Sequence, residues 1–161
     1  MIAVDKKGNE LLDVIDVHES DVEKMYKPIN HCLAVVKIGN EYLMGWNKWR
    51  KDWEIFGGCR EENETLRECI ARECKEELGI ENVEFTYLGL MYYKMAPGYF
   101  NPDWHNEYGG LYGITLSEDC LQMIEEHRTD KEEVEKLAFY SDIMEQEKIA
   151  VIDEKLLGYW K

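Results

Sequence analysis

Nowhere in the 161 residues is there an apolar run approaching the ~18 that a membrane span requires. The opening MIAVDKKGNE also lacks the layout of a signal peptide. Cysteine is present but unpaired in pattern: Cys32, Cys59, Cys69, Cys74 and Cys120 are odd in number and form no CxxC. A disulfide framework is therefore not expected, and a reduced, cytoplasmic setting is. Cations are scarce. Nineteen Lys and Arg against 34 Asp and Glu leave a formal charge of −15, which argues against general binding to nucleic-acid backbones, since that rests on Lys and Arg. No internal repeat, low-complexity segment or linker divides the chain. With 45% hydrophobic residues, one domain spanning 1–161 with a substantial core is expected.

Hydrophobic patterning gives the order of elements. Residues 1–17 read as a hairpin turning at Lys6-Lys7-Gly8-Asn9, followed by an irregular polar stretch from Glu19 to Asn30. His31 to Ile38 is a buried-strand signal, Gly39-Asn40 a turn, Tyr42 to Trp46 a returning strand, and Trp53 to Phe56 another. One or two strands are expected within Val83 to Met95, then a strand at Leu111 to Leu116, a short helix at Glu118 to His127, a strand at Glu135 to Tyr140, and a C-terminal helix from Ser141 to Trp160. Strands mixed with helices on two faces predict a three-layer α/β/α sandwich.

The most specific stretch is GGCREENETLRECIARECKEELGI, starting at Gly57. Thr65 and Glu68 have the spacing of a capping box, and Gly79 stands where a left-handed helix cap belongs, so one helix of about four turns lies between. On that helix Glu73, Glu76 and Glu77 share an arc of roughly 100°, on the side of Leu66, Cys69 and Ile70. Carboxylates crowded beside an apolar stripe repel one another and lose hydration, a cost that a hard divalent cation offsets. The plainer alternative is a solvated helix laced by pairs such as Glu68 with Arg72. The two preceding glycines favour the site, because they let the main chain approach an ion or ligand closely.

Five residues separate Gly58 from Glu64, seven separate Glu64 from Arg72, and Arg72-Glu73-Cys74-Lys75-Glu76-Glu77-Leu78-Gly79-Ile80 follows. In this pattern the chain resembles the Nudix hydrolase family, with every fixed position of the Nudix box filled. The resemblance implies a Nudix-type sandwich with a mixed sheet and hydrolysis of a phosphoanhydride in a nucleoside diphosphate linked to another moiety. Nucleoside triphosphates, oxidised ones included, are the first expectation and ADP-ribose or a nucleotide sugar the second. It implies Mg²⁺, with Mn²⁺ as a substitute, held by Glu76, Glu77 and Gly57. Glu73 is implied as a further ligand or as the base, Arg72 as the group orienting these carboxylates, and Glu64 as a support. Some members draw a base or ligand from a later loop, where Glu133 is the first candidate. Homodimers are common in the family, and the expected partner is a small nucleotide or other diphosphate, with neither membrane nor nucleic acid.

Two segments are candidates for the substrate. Trp46 to Lys51 supplies Trp49 together with Arg50 and Lys48, either of which suits a terminal phosphate unless they are solvated turn charges. Ala96 to Gly110 reads as a long loop in which Tyr99, Phe100 and Trp104 offer faces for a base to stack on, unless they pin the loop to the core. Two other functions fit the residues less well. His18 and His31 give a faint likeness to isopentenyl diphosphate isomerases, but Gly57-Gly58-Cys59-Arg60 lacks their histidine. A nucleotide-binding module without catalysis would show eroded box carboxylates, and none is eroded.

Overall fold

The apolar run Cys32 to Val36 lies in an interior strand of the sheet. Cys32, Ala34, Val35 and Val36 have no exposed surface, as expected of a strand covered on both faces. The structure, a computed structural model, describes residues 1–145 and 148–161. Its elements in chain order are β1 (Ala3–Val4), β2 (Glu10–Ile15), a 3-10 turn (Glu19–Asp21), α1 (Val22–Met25), β3 (Ile29–Ile38), β4 (Glu41–Asn47), β5 (Asp52–Glu54) and β6 (Phe56–Cys59). There follow α2 (Leu66–Leu78), β7 (Thr86–Met95), β8 (His105–Leu116), α3 (Cys120–His127), β9 (Val134–Phe139), α4 (Tyr140–Ile143) and α5 (Val151–Leu157).

These strands make one mixed sheet in the order β1-β2-β7-β8-β3-β4-β5, with β6 on β3 and β9 on β4. The β3–β8 pairing is parallel, and the other strand pairs are antiparallel. Alternation along β3 sorts its side chains between two cores. Cys32, Ala34 and Val36 pack with Leu66, Cys69, Ile70, Cys74 and Leu78 of α2 and Ile124 of α3. Val35 packs on the opposite face with Met44, Met91, Leu111 and the α5 residues Ile152, Leu156 and Leu157. The result is a three-layer α/β/α sandwich. No helix among the described residues is long and apolar enough to cross a membrane.

Of the one or two strands expected within Val83 to Met95 there is one, β7, with a register shift between Tyr87 and Gly89. Two sequence expectations are corrected. The long loop from Ala96 to Gly110 is shorter, because β8 begins at His105 and pairs with β7 as far as Met95. Its first turns of sequence, His105-Asn106-Glu107, are polar and hide the strand. The expected C-terminal helix is broken, and residues 146 and 147 within its span lie outside the described residues. Around Ile149 the chain is extended instead. Trp53 N–H donates to the Lys148 carbonyl at 2.8 Å and Ala150 N–H to the Trp53 carbonyl at 2.9 Å. Those sheet-like bonds override helix propensity there, and α5 starts only at Val151.

Candidate active site

Two consecutive glycines open the site. Gly57 has φ +139°, and a Cβ on it would stand 2.1 Å from the Cys32 carbonyl oxygen, so only glycine lets β6 lie this close to β3. A Cβ on Gly58 would stand 2.5 Å from Glu73 Oε1. The second glycine thus leaves room for a carboxylate of α2.

α2 is held at both ends. Thr65 Oγ1 accepts the Glu68 N–H at 3.1 Å while Glu68 Oε1 accepts the Thr65 N–H at 3.0 Å, a closed capping box. Gly79, at φ 66°, ends the helix with its N–H on the Lys75 carbonyl.

Arg72 organises the near side of the site. Its Nε and Nη2 fork onto the Glu64 carboxylate at 2.6 and 3.0 Å, Nη2 also donates to the Cys59 carbonyl at 3.0 Å, and Nη1 donates to Glu73 Oε1 at 2.9 Å. Glu76, half-exposed, stands 3.8 Å from the same Nη1. The guanidinium holds the Glu64 carboxyl down to about 2, from an ordinary 4.5. Burial pushes the Glu73 carboxyl up, opposed by Arg72 and reinforced by the charges of Glu76 and Glu133.

The Glu64–Arg72 fork leads to a pH-dependent prediction. Glu64→Gln should lower Tm at pH 7 by about 5 °C, the loss of a charge-assisted pair. Because the folded value is depressed, the stabilisation is complete above 4.5 and disappears as pH falls through about 2. Thermal melts should show the gap between variant and parent closing across that window. A constant gap from pH 7 to 2 would assign the loss to packing instead.

Glu77 is 3% exposed, and its Oε1 accepts the Gly57 N–H at 2.8 Å. One oxygen each of Glu77, Asp130 and Glu133 lie within 4.8 Å of one another. Burial pushes the Glu77 carboxyl well up, opposed by the Gly57 N–H and reinforced by the charges of Glu73, Glu133 and Asp130. Three mutually repelling oxygen donors, one of them buried, fit a hard divalent cation of the Mg²⁺ or Mn²⁺ kind.

The acidic loop before β9 is fixed by backbone contacts. Thr129 and Asp130 N–H groups both donate to the Glu76 carbonyl, at 3.0 and 2.8 Å. Buried Arg128 donates to the Val134 and Glu135 carbonyls at 2.7 and 3.0 Å, and Glu133 N–H donates to Asp130 Oδ1 at 3.0 Å.

A cavity of about 780 Å³ extends from this cluster under the N-terminal hairpin and α5. Glu77, Glu133, Gly57 and Gly58 line it, as do His31, Tyr93 and a further set of acids, Asp52, Glu54 and Asp153. Arg50 joins the two acidic regions, with Nε on Glu54 Oε2 at 2.7 Å and Nη2 on Glu133 Oε1 at 3.1 Å. Buried Asn47 fixes the turn carrying Arg50, its Oδ1 accepting the Trp49 and Arg50 N–H groups at 3.0 and 2.9 Å. Burial raises Glu54 to about 7, opposed by Arg50 and assisted by Asp52, and burial with the Glu54 charge raises Asp153 to about 8. His31 packs 5.1 Å from Tyr93, centroid to centroid, and burial lowers it to about 4 against the pull of Glu107. It is therefore neutral at pH 7.

Of the residues singled out from the sequence, the structure brings Gly57, Glu77 and Glu133 together, and places Arg72, Glu73 and Glu76 beside them on one helix. Arg50 reaches Glu133 and lines the cavity. Trp49, Tyr99, Phe100 and Trp104 stand elsewhere. Tyr99 and Phe100 are almost wholly exposed and pack on each other at 5.0 Å, Trp104 lies over the Lys94 ammonium at 5.1 Å, and Trp49 is exposed. None of these four lines the cavity. His18 lines a separate cleft, and the three-acid cluster contains no histidine.

The sequence reading missed Asp130, Asp52, Glu54 and Asp153. Asp130 could have been found, lying three residues before Glu133 in the same acidic loop. The alternation of Asp52 and Glu54 in a strand is a weaker signal, and Asp153 carries none.

The NUDIX domain family model matches residues 31–156. The Bacillus subtilis pyrophosphohydrolase BsRppH is similar in structure at a TM-score of 0.61 and 19% identity, over 93% of this chain and 85% of that one. The MutT NUDIX hydrolase from Burkholderia pseudomallei is similar at 0.58 and 16%, over 80% and 95% of the two chains. The NUDIX domain of Shewanella oneidensis NrtR, complexed with ADP ribose, is similar at 0.59 and 14%, over 89% and 96%. No curated protein sequence matches the chain. With the family model covering most of its length and the box in place on α2, the chain belongs to the NUDIX domain family and is a Nudix hydrolase.

Proposed function

We propose that this Nudix hydrolase is Mg²⁺-dependent and cleaves a phosphoanhydride bond in a nucleoside diphosphate linked to another group. Nucleoside triphosphates, including oxidised deoxynucleotides, come first, and ADP-ribose or a nucleotide sugar second. The observation that carries this reading is the Glu77–Asp130–Glu133 cluster, with its oxygens within 4.8 Å, two of whose members, Glu77 and Glu133, line a nucleotide-sized cavity. These three acids would hold the cation, with the Gly57 region beside them. A bound divalent cation supplies neutralisation of the diphosphate and a lower pKa for attacking water.

The chain's own groups divide the remaining work. Arg72 holds Glu73 by one N–H and Glu64 by two, so Glu73 has a fixed orientation and one oxygen outside that contact. Burial raises the proton affinity of Glu73, which suits it to take the proton from the attacking water as the water oxygen bonds to phosphorus. The bridging P–O bond breaks, and the departing phosphate carries the electron pair. Glu76, half-exposed and 3.8 Å from Arg72 Nη1, would serve as a further ligand to the cation.

The test is phosphate release from the purified protein with Mg²⁺ or Mn²⁺. The panel comprises nucleoside triphosphates, oxidised nucleotides, ADP-ribose, nucleotide sugars and dinucleoside polyphosphates, with coupling enzymes as each requires. Turnover of one class, abolished by EDTA and restored by excess Mg²⁺, is expected. A folded, metal-loaded sample silent across the panel would refute the proposal.

A further inference from the structure

The floor of the cavity carries an imidazole that the proposed hydrolysis does not use. His31 lines the cavity and is partly exposed. Strand alternation puts it on the face of β3 that carries Leu33, which also lines the cavity, and opposite the face of Cys32 and Ala34 that packs on α2. The ring lies over Gly109, where a Cβ would stand 2.6 Å from Cε1 and 2.7 Å from Nε2, and it packs 5.1 Å from the Tyr93 ring. Neither ring nitrogen has a hydrogen-bond partner among the described residues. Both keep accessible surface, since the buried polar atoms without partners among those residues belong to Asp52, Trp53, Tyr87 and Arg128. Burial keeps the ring neutral at pH 7, so it offers one N–H donor and one acceptor to the occupant of the cavity.

The surroundings of His31 narrow the class of ligand. Gly109 is the β8 residue opposite it, and Glu107, two residues before Gly109, stands diagonally beside it on the same face. Glu107 also lines the cavity, with its side chain 18% exposed. Its Oε1 is engaged by His105 Nε2 at 3.0 Å, and its Oε2 has no partner among the described residues. A carboxylate beside a neutral imidazole repels a phosphate, whereas a hydroxyl can donate to either group. Position along the sheet agrees. Leu33 faces Gly57, whose N–H is held by Glu77, and His31 faces Cys59 two residues further along β6. Two strand residues span about 7 Å, the reach from a phosphate to the hydroxyls of the sugar that carries it, and short of the base.

We infer that His31 and Glu107 together bind the vicinal 2′- and 3′-hydroxyls of a ribose and so select ribonucleotides over 2′-deoxyribonucleotides. The inference deepens the proposed function and rests on its reading of the three-acid cluster as the phosphate end. Within the proposed range it ranks ribonucleoside triphosphates and ADP-ribose ahead of deoxynucleotides. Tyr93 and Gly109 set the position of the imidazole, and His105 holds Glu107 by one oxygen and leaves the other to the sugar.

The experiment compares ligands differing by one hydroxyl. Calorimetry on the full chain with Mg²⁺ would measure ADP, GDP and CDP against their 2′-deoxy counterparts. In parallel, kcat/KM would be measured for each ribonucleoside triphosphate against its 2′-deoxy form. In at least one diphosphate pair the ribonucleotide should bind about 10-fold tighter or more. His31→Phe keeps a ring against Tyr93 and Gly109 but removes both nitrogens, and Glu107→Met removes the carboxylate. Each should bring that ratio near one while thermal melting shows a folded protein. Equal binding within all wild-type pairs, no binding by any of the six, or a ratio that persists in either folded variant would overturn the inference. If neither variant folds, the wild-type pairs decide by themselves. A ribose preference in binding without hydrolysis of any nucleotide would uphold this inference and count against the hydrolase proposal. Hydrolysis with no ribose preference would do the reverse.

Discussion

Glu77→Gln should lower turnover by about 100-fold or more with the fold intact, because it removes one charge from the three-acid cluster and keeps the side chain's shape. The glutamine carbonyl can still accept the Gly57 N–H, so the bond that ties β6 to α2 survives. The same change should leave the metal-free protein as stable as its parent or more so. Glu77 is buried among Glu73, Asp130 and Glu133, and its negative charge works against folding when no cation offsets it. Steady-state kinetics at saturating Mg²⁺, with melting curves in EDTA, would test both halves. Near-normal turnover would remove Glu77 from the catalytic machinery, and a large drop in metal-free Tm would mean that the side chain serves packing instead.

Gly57→Ala is expected to cost about 3 kcal/mol or more, from left-handed strain together with a backbone clash. For a chain of this size that corresponds to a Tm about 10 °C lower. The new Cβ would stand 2.1 Å from the Cys32 carbonyl oxygen and 2.8 Å from Leu33 Cα, both main-chain atoms of the central strand, so no rotamer change relieves it. Gly98→Ala is the internal control. Its Cβ would meet nothing within 4 Å, and its stability should stay within about 0.5 kcal/mol of the parent. A Gly57→Ala protein melting with the parent would show that β6 can shift away from β3 without penalty.

These expectations also show which parts of the molecule could be read in advance. Both ends of α2 follow from local chemistry, with Thr65 and Glu68 capping one another and Gly79 accepting a left-handed conformation. The N-terminal hairpin and the buried β3 follow from patterning of the same short range. What failed depends on partners distant in sequence. Residues 148–150 have helix-compatible composition, yet the main chain of Trp53, nearly a hundred positions earlier, draws them into an extended path. The polar start of β8 is a strand only because β7 lies alongside. The three-acid cluster has the same character. Glu77 comes from α2 and Asp130 and Glu133 from the loop before β9, and no spacing rule links the two segments. The aromatic residues of the 96–104 loop show the reverse error, since a composition that suggests stacking faces belongs here to side chains directed at solvent and at each other.

The paired bonds from Thr129 and Asp130 to the Glu76 carbonyl have a mechanical consequence. They stitch the last turn of α2 to the loop that carries Asp130 and Glu133, so Glu77 and its two companions are mounted on a single stiff frame. Moving the two segments apart means breaking main-chain bonds. A rigid frame of this kind favours ions by radius: it suits a small cation at short oxygen distances better than a larger one that needs more ligands set further out.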